Sequence, residues 1–181
     1  MPMRYIFACI WEGQEGSFLL WTLWHCAIGL FLIRNLGRWE SPVMWVVCIV
    51  QAFLASMILG TYVLDYKIGS NPFLLLREHP DFVNLPFVQM PDYLAKLNDG
   101  RGLNPLLQNY WMVIHPPTLF LGFAATVVPC AFAIGGLSIR KTTEWIKPAL
   151  PYALFGVMIL GLGILMGAAW AYEALSFGGF W

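Results

Sequence analysis

Four long stretches of this sequence, Ser17–Ile33, Val43–Leu64, Pro117–Leu137 and Ala149–Ala171, contain no lysine, arginine, aspartate or glutamate. A helix needs about 20 apolar residues to cross the hydrocarbon core of a bilayer, because no water is there to satisfy its backbone. Each stretch meets that length. The predicted fold is therefore all-α: a polytopic membrane helix bundle of about four transmembrane helices, forming one membrane domain over residues 1–181. Composition agrees, since 59% hydrophobic residues against 11% charged is more than a soluble core of this size requires. The first stretch is not a cleavable signal, because Glu12 and Glu15 rather than basic residues precede it. Glu15 and Ser17 are expected to cap it, Ser41-Pro42 to cap the second span, and Pro148 to open the fourth.

Orientation follows from the connections. Arg34 and Arg38 flank the first short one, and Arg140, Lys141 and Lys147 lie in the loop before the fourth span. The positive-inside rule puts both on the cytoplasmic or equivalent side. The segment from Glu12 to Glu15, the loop Asp65–Ile114 and the tail Tyr172–Trp181 then face outward. The 10 basic and 10 acidic residues cancel, so nucleic acid is not an expected partner and membrane lipid is. Cys9, Cys26, Cys48 and Cys130 form no C-x-x-C and are read as small buried hydrophobes.

The outer loop is too apolar for a solvated coil, so part of it is expected on the membrane surface or against helix ends. At its end stands His115, followed by Pro116-Pro117, with Tyr110, Trp111, Met112, Phe120 and Phe123 around it. Two prolines fix φ and remove donors, so the third helix is expected to begin near Pro117, with the imidazole at the interface. Three uses of that imidazole stay open on residue type alone: an axial ligand for haem iron, a proton-handling group of a transporter, or an interfacial residue bonded to a carbonyl. Arg101 and Arg77 in the same loop are candidate cations for haem propionates. His25, within the first span, is expected to bond to an adjacent helix, and His79 to be a loop residue.

The run Gly100-Arg101-Gly102-Leu103-Asn104-Pro105-Leu106-Leu107-Gln108 and then His115-Pro116-Pro117 resembles the CcmF family of cytochrome c-type biogenesis. So do Trp11 with Glu15-Gly16-Ser17, Ser70-Asn71-Pro72-Phe73, and Gly167-Ala168-Ala169-Trp170-Ala171-Tyr172 through Gly178-Gly179-Phe180-Trp181. These matches fall in family order along essentially the whole chain. The resemblance implies a haem lyase subunit, not active alone, that holds haem at the outer face while apocytochrome c accepts it through C-x-x-C-H. It implies His115 as a haem-iron ligand, with Trp111, Arg101, Trp170, Tyr172, Phe177, Phe180 and Trp181 around the cofactor and the second axial ligand outside this chain. The implied partners are the rest of CcmF, a CcmH-type subunit, the haem chaperone CcmE and apocytochrome c. The implied membrane is the bacterial or mitochondrial inner one, with the site on the periplasmic or intermembrane-space side. Departures are Gln14 where the family often has histidine, Glu12 in place of a small residue, and Phe180 for the first tryptophan of a W-W-D segment. With helices expected ahead of Trp11 and that segment only starting, the chain reads as a piece of a split or longer CcmF. Alternatives from other classes are a CcmC-like protein passing haem to CcmE, and a scaffold or transporter subunit without haem chemistry.

Overall fold

A computed structural model of the chain describes residues 1–79, 81–96 and 102–174. In order, α1 (Met3–Ala8), α2 (Gln14–Asn35) and α3 (Glu40–Met57) precede a hairpin of β1 (Thr61–Val63) and β2 (Tyr66–Ile68). A short α4 (Tyr93–Lys96) and the long helices α5 (Tyr110–Ser138) and α6 (Ile146–Ala174) follow. Four helical segments, Gln14–Asn35, Gly37–Met57, Tyr110–Ser138 and Ile146–Ala174, are long and apolar enough to cross a membrane. The chain is an integral membrane helix bundle.

Packing within a bilayer gains little from apolar burial alone, so helices must approach closely enough for van der Waals contact, and small residues permit that. Helices α5 and α6 do so in antiparallel register. A Cβ added to Gly122 would stand 2.6 Å from Leu160 Cα, one on Gly163 2.8 Å from Leu119 Cα, and one on Gly156 3.5 Å from the Ala125 carbonyl carbon. A second core joins α2, α3 and α5 near the two short connections, with Leu32, Val43, Ala131 and Phe132 fully buried. The connections themselves are linked: Glu144 accepts from Lys141 at 2.7 Å and from Arg38 at 3.3 Å. The Lys141 hydrogen bond holds the Glu144 carboxyl below its ordinary range. The sign of that shift makes its contribution present above the unfolded-state value and lost as pH falls through the folded one. Because the pair is exposed and screened, Glu144→Gln is expected to leave the thermal midpoint at neutral pH unchanged.

Several sequence expectations are corrected. The second span ends at Met57 rather than Leu64, and Thr61–Val63 is a strand. Hydropathy cannot separate an apolar strand from the last turns of a helix, but Gly60, at φ +61°, breaks the run. Leu64 and Asp65, at φ 49° and 66°, make the tight turn. The loop does pack on helix ends here, since Ser70 donates its hydroxyl to Glu15 Oε1 at 2.6 Å and its amide to the Met57 carbonyl at 2.9 Å. Glu15 lies in the first turn of α2, after an N-cap at Gly13, while Ser17 donates to the Trp11 carbonyl at 2.9 Å instead of capping. Helix α3 starts at Glu40, so Ser41 and Pro42 lie inside its first turn. Pro148 lies within α6, which begins at Ile146. Cys26, Cys48 and Cys130 are exposed on apolar helix surfaces rather than buried. His79 closes a 3-10 turn in the loop, as expected. His25 is 3% exposed, and its Nε2 has no partner among the described residues, so the expected bond to a neighbouring helix is not formed there.

The largest correction concerns His115. Helix α5 begins at Tyr110 and passes straight through His115-Pro116-Pro117. Asn109 is the N-cap, its side chain accepting from the Trp111 amide at 3.0 Å. A proline in a helix orphans the carbonyl four residues earlier. For Pro116 that is Met112, and the Trp11 indole donates to the Met112 carbonyl at 2.9 Å. Tertiary supply of this donor offsets the loss at Pro116 and favours a helix start before the prolines. Trp11→Phe would leave that buried carbonyl unpaired, and a destabilisation of about 1–3 kcal/mol is the expected outcome, read as a lower thermal midpoint of the lipid-reconstituted protein.

Candidate functional site

His115 stands on the second turn of α5. At the usual rise of about 1.5 Å per residue, about 35 Å of helix separates it from Ser138. The hydrocarbon core is about 30 Å thick, so an α5 seated with Ser138 at one boundary brings His115 close to the other. The turns from Tyr110 to Ile114 then project beyond it, beside the long loop.

A small core supports this end. Tyr5 and Ala8 of α1, Leu103 of the loop and Met112 of α5 are buried together, with Trp11 and Trp170 packed against them. The half-buried imidazole of His115 faces α6. Its Nδ1 lies 2.8 Å from the Gly163 carbonyl oxygen, and its ring centroid is 5.8 Å from that of Trp170. A carbonyl only accepts, so Nδ1 carries a proton, and in the neutral imidazole Nε2 keeps a lone pair. No hydrogen-bond partner for Nε2 is found among the described residues. One turn toward the helix start, Trp111 donates its indole N–H to Glu173 Oε2 at 2.6 Å, tying the beginning of α5 to the end of α6.

Of the residues singled out from sequence, His115, Trp111 and Trp170 are thus brought into one neighbourhood. Tyr172 is not: two residues past Trp170 it is turned about 200° around α6, and it is 60% exposed. Arg77 stacks over the ring of Tyr93 at 6.0 Å, within the loop. Arg101, Phe177, Phe180 and Trp181 lie outside the described residues. Residues that sequence reasoning did not place at the site are Trp11, Gly163, Gly167 and Glu173. The four-residue spacing of Gly163 and Gly167 was the available signal, being that of close helix packing.

Does this set of groups suit haem? An axial ligand must offer an unprotonated imidazole nitrogen, and metal-bound histidines commonly donate their other N–H to a backbone carbonyl. His115 meets both conditions. Trp170 adds an aromatic wall and an indole N–H that is buried and unpartnered among the described residues. No cluster of three or more histidine, cysteine or carboxylate side chains suited to a bare metal ion exists among the described residues. A cleft of about 720 Å³ lies elsewhere, lined by Trp24, Phe31, Trp39, Phe132, Tyr152 and Phe155, with no histidine in its wall. It carries none of this chemistry.

The sequence model of the family described as cytochrome C assembly protein matches residues 11–181. The chain belongs to that family. Among its cytochrome c assembly relatives, the cytochrome c-type biogenesis proteins CcmF of Pseudomonas aeruginosa and of Escherichia coli are each 35% identical to it. Each alignment covers 100% of this chain and 25% of the relative. The cytochrome c-type biogenesis protein NrfE of Haemophilus influenzae is 27% identical, again over 100% of the chain and 25% of the relative. This family member therefore spans about a quarter of the length of the curated relatives it matches. No solved structure matches it.

Proposed function

We propose that this chain forms part of a haem-handling membrane assembly in cytochrome c-type biogenesis, in which His115 binds the iron of substrate haem through Nε2 at the outer membrane face. The observation that carries this reading is the 2.8 Å contact of Nδ1 with the Gly163 carbonyl, which commits one ring nitrogen to α6 and leaves the other with its lone pair. The names and 25% coverage of the relatives support the wider role, with the remaining helices and the second axial ligand supplied beyond this segment. The five basic residues of the two short connections support an outward-facing site, on the periplasmic or intermembrane-space side.

In that role the chain binds and orients. Iron fixed on one imidazole, with Trp170 beside it, limits how the macrocycle can turn before a C-x-x-C-H segment of apocytochrome c. Thioether formation then adds each substrate S–H across a vinyl group, sulfur to one carbon and hydrogen to the other, without net oxidation. The nucleophiles are the substrate's own thiols, so none is required of this chain. CcmE as haem donor, a CcmH-type subunit and the rest of a CcmF-like unit are the partners that accord with this step.

A second reading has a specific observation behind it: the Gly163 contact alone would make His115 an interhelical tie. His115→Asn separates the two, because an asparagine amide can donate to the same carbonyl but gives iron no imidazole nitrogen. In the purified assembly the variant is expected to keep its thermal midpoint within about 1 kcal/mol of stability and to lose the imidazole-ligated haem absorbance. A signal that persists undiminished overturns the ligand assignment.

A further inference from the structure

We infer that Gly163 and Gly167 of α6 are positioning residues that hold the His115 imidazole with Nδ1 protonated and the Nε2 lone pair free. Two independent features of the packing carry this. The first is the acceptor: were the proton on Nε2, two lone pairs would face each other across 2.8 Å at the Gly163 carbonyl. In a helix that carbonyl also faces the amide of Gly167, four residues on, and its second lone pair takes the imidazole N–H. The carbonyl comes within reach because Gly163 lets α6 close on α5. A Cβ there would lie 2.8 Å from Leu119 Cα and 3.1 Å from Leu119 N, both backbone atoms that cannot swing aside.

The second feature is clearance. A Cβ on Gly167 would meet His115 Cε1 at 2.7 Å and both ring nitrogens at 3.2 Å. The edge of the ring therefore lies flat on a bare stretch of α6 backbone. A Cβ at 167 requires the ring to shift from its seat beside the Gly163 carbonyl, whereas Gly161 on the same helix has nothing within 4 Å of its Cβ position. The two glycines thus do different jobs at one imidazole, one supplying the acceptor and the other the room. This deepens the haem reading but rests on it only for what the lone pair binds.

The experiment is nitrogen NMR on the complete membrane protein carrying this chain, reconstituted in lipid with ¹⁵N-labelled histidine, His115 being assigned by difference against His115→Asn. The wild-type protein without haem is expected to show a protonated, pyrrole-like Nδ1 and an unprotonated, pyridine-like Nε2. Gly167→Ala is expected to give a mixture of tautomers and to weaken haem binding, read by absorbance titration, roughly 10- to 100-fold, as loss of an outer-shell partner does. Gly161→Ala is expected to change neither. A protonated Nε2 in the wild type, or a Gly167→Ala spectrum identical to the wild type, overturns the proposal. Should the alanine variant fail to assemble, the wild-type spectrum decides alone. The assigned tautomer with no haem binding in either protein would sink the haem reading and leave the positioning role standing.

Discussion

Gly122→Leu is expected to prevent stable assembly of the α5–α6 pair, and Gly122→Ala to lower the thermal midpoint of the reconstituted protein. A Cβ at 122 stands 2.6 Å from Leu160 Cα and 2.9 Å from Leu160 N. Those are backbone atoms, so no rotamer change relieves the overlap and the helices must separate. Overpacking of this kind costs about 1–3 kcal/mol and occasionally more. Replacing an interior helical glycine by alanine returns only about 1 kcal/mol through helix propensity. The balance at 122 is therefore unfavourable. At Gly156, where the added carbon stays 3.5 Å from its nearest neighbours, and at Gly161, where it meets nothing, propensity wins and alanine is expected to be neutral or stabilising. A ranking of midpoints with Gly122→Ala at or above the Gly156 and Gly161 variants would mean that α5 and α6 do not pack in this register. The consequence reaches the site, because separating the helices also withdraws the Gly163 carbonyl from His115.

Removing the imidazole is expected to have the largest effect on haem. In His115→Gly the iron loses a ligand outright, a larger loss than the roughly 10- to 100-fold in affinity that an outer-shell partner contributes. The space left is that of the side chain itself, bounded by Gly163, Gly167 and Trp170. Free imidazole added to the variant assembly is expected to restore the ligated absorbance, and to do so poorly in the double variant with Gly167→Ala, where the cradle is filled. Rescue separates a ligand from a structural tie, since a diffusible ring can bind iron but cannot hold two helices in register. Unchanged haem absorbance in His115→Gly without added imidazole would refute the assignment.

Much of the architecture was legible because it follows from one rule, that a backbone in hydrocarbon must satisfy itself. The four uncharged stretches became four long helices, with ends displaced by up to seven residues. The loop preceding His115 was recognisable as too apolar to be solvated, and Leu103 indeed lies buried beside Met112. Errors arose where a local rule met a distant partner. Pro116-Pro117 looked like a helix start because a proline's missing donor is harmless only in the first turn, yet Trp11 covers the carbonyl that Pro116 orphans, that of Met112, 101 residues further along the chain. Val43–Leu64 read as one continuous span because hydropathy has no term for the break at Gly60. The cysteines were expected inside, but in a bilayer the outward surface is also apolar, so burial need not follow hydrophobicity.

The sequence by itself determined that this chain is an integral membrane protein, that it has four helices long and apolar enough to cross a bilayer, and that an imidazole stands near the end of one of them among aromatic side chains. Those properties depend on length, charge and spacing along one strand of chain. Which face His115 presents, which of its nitrogens is protonated, and that Gly163, Gly167 and Trp170 rather than Tyr172 surround it were decided only by the docking of α6 on α5. That docking depends on backbone atoms approaching within van der Waals contact where side chains are missing, and the partner of a missing side chain is not written in the neighbouring sequence.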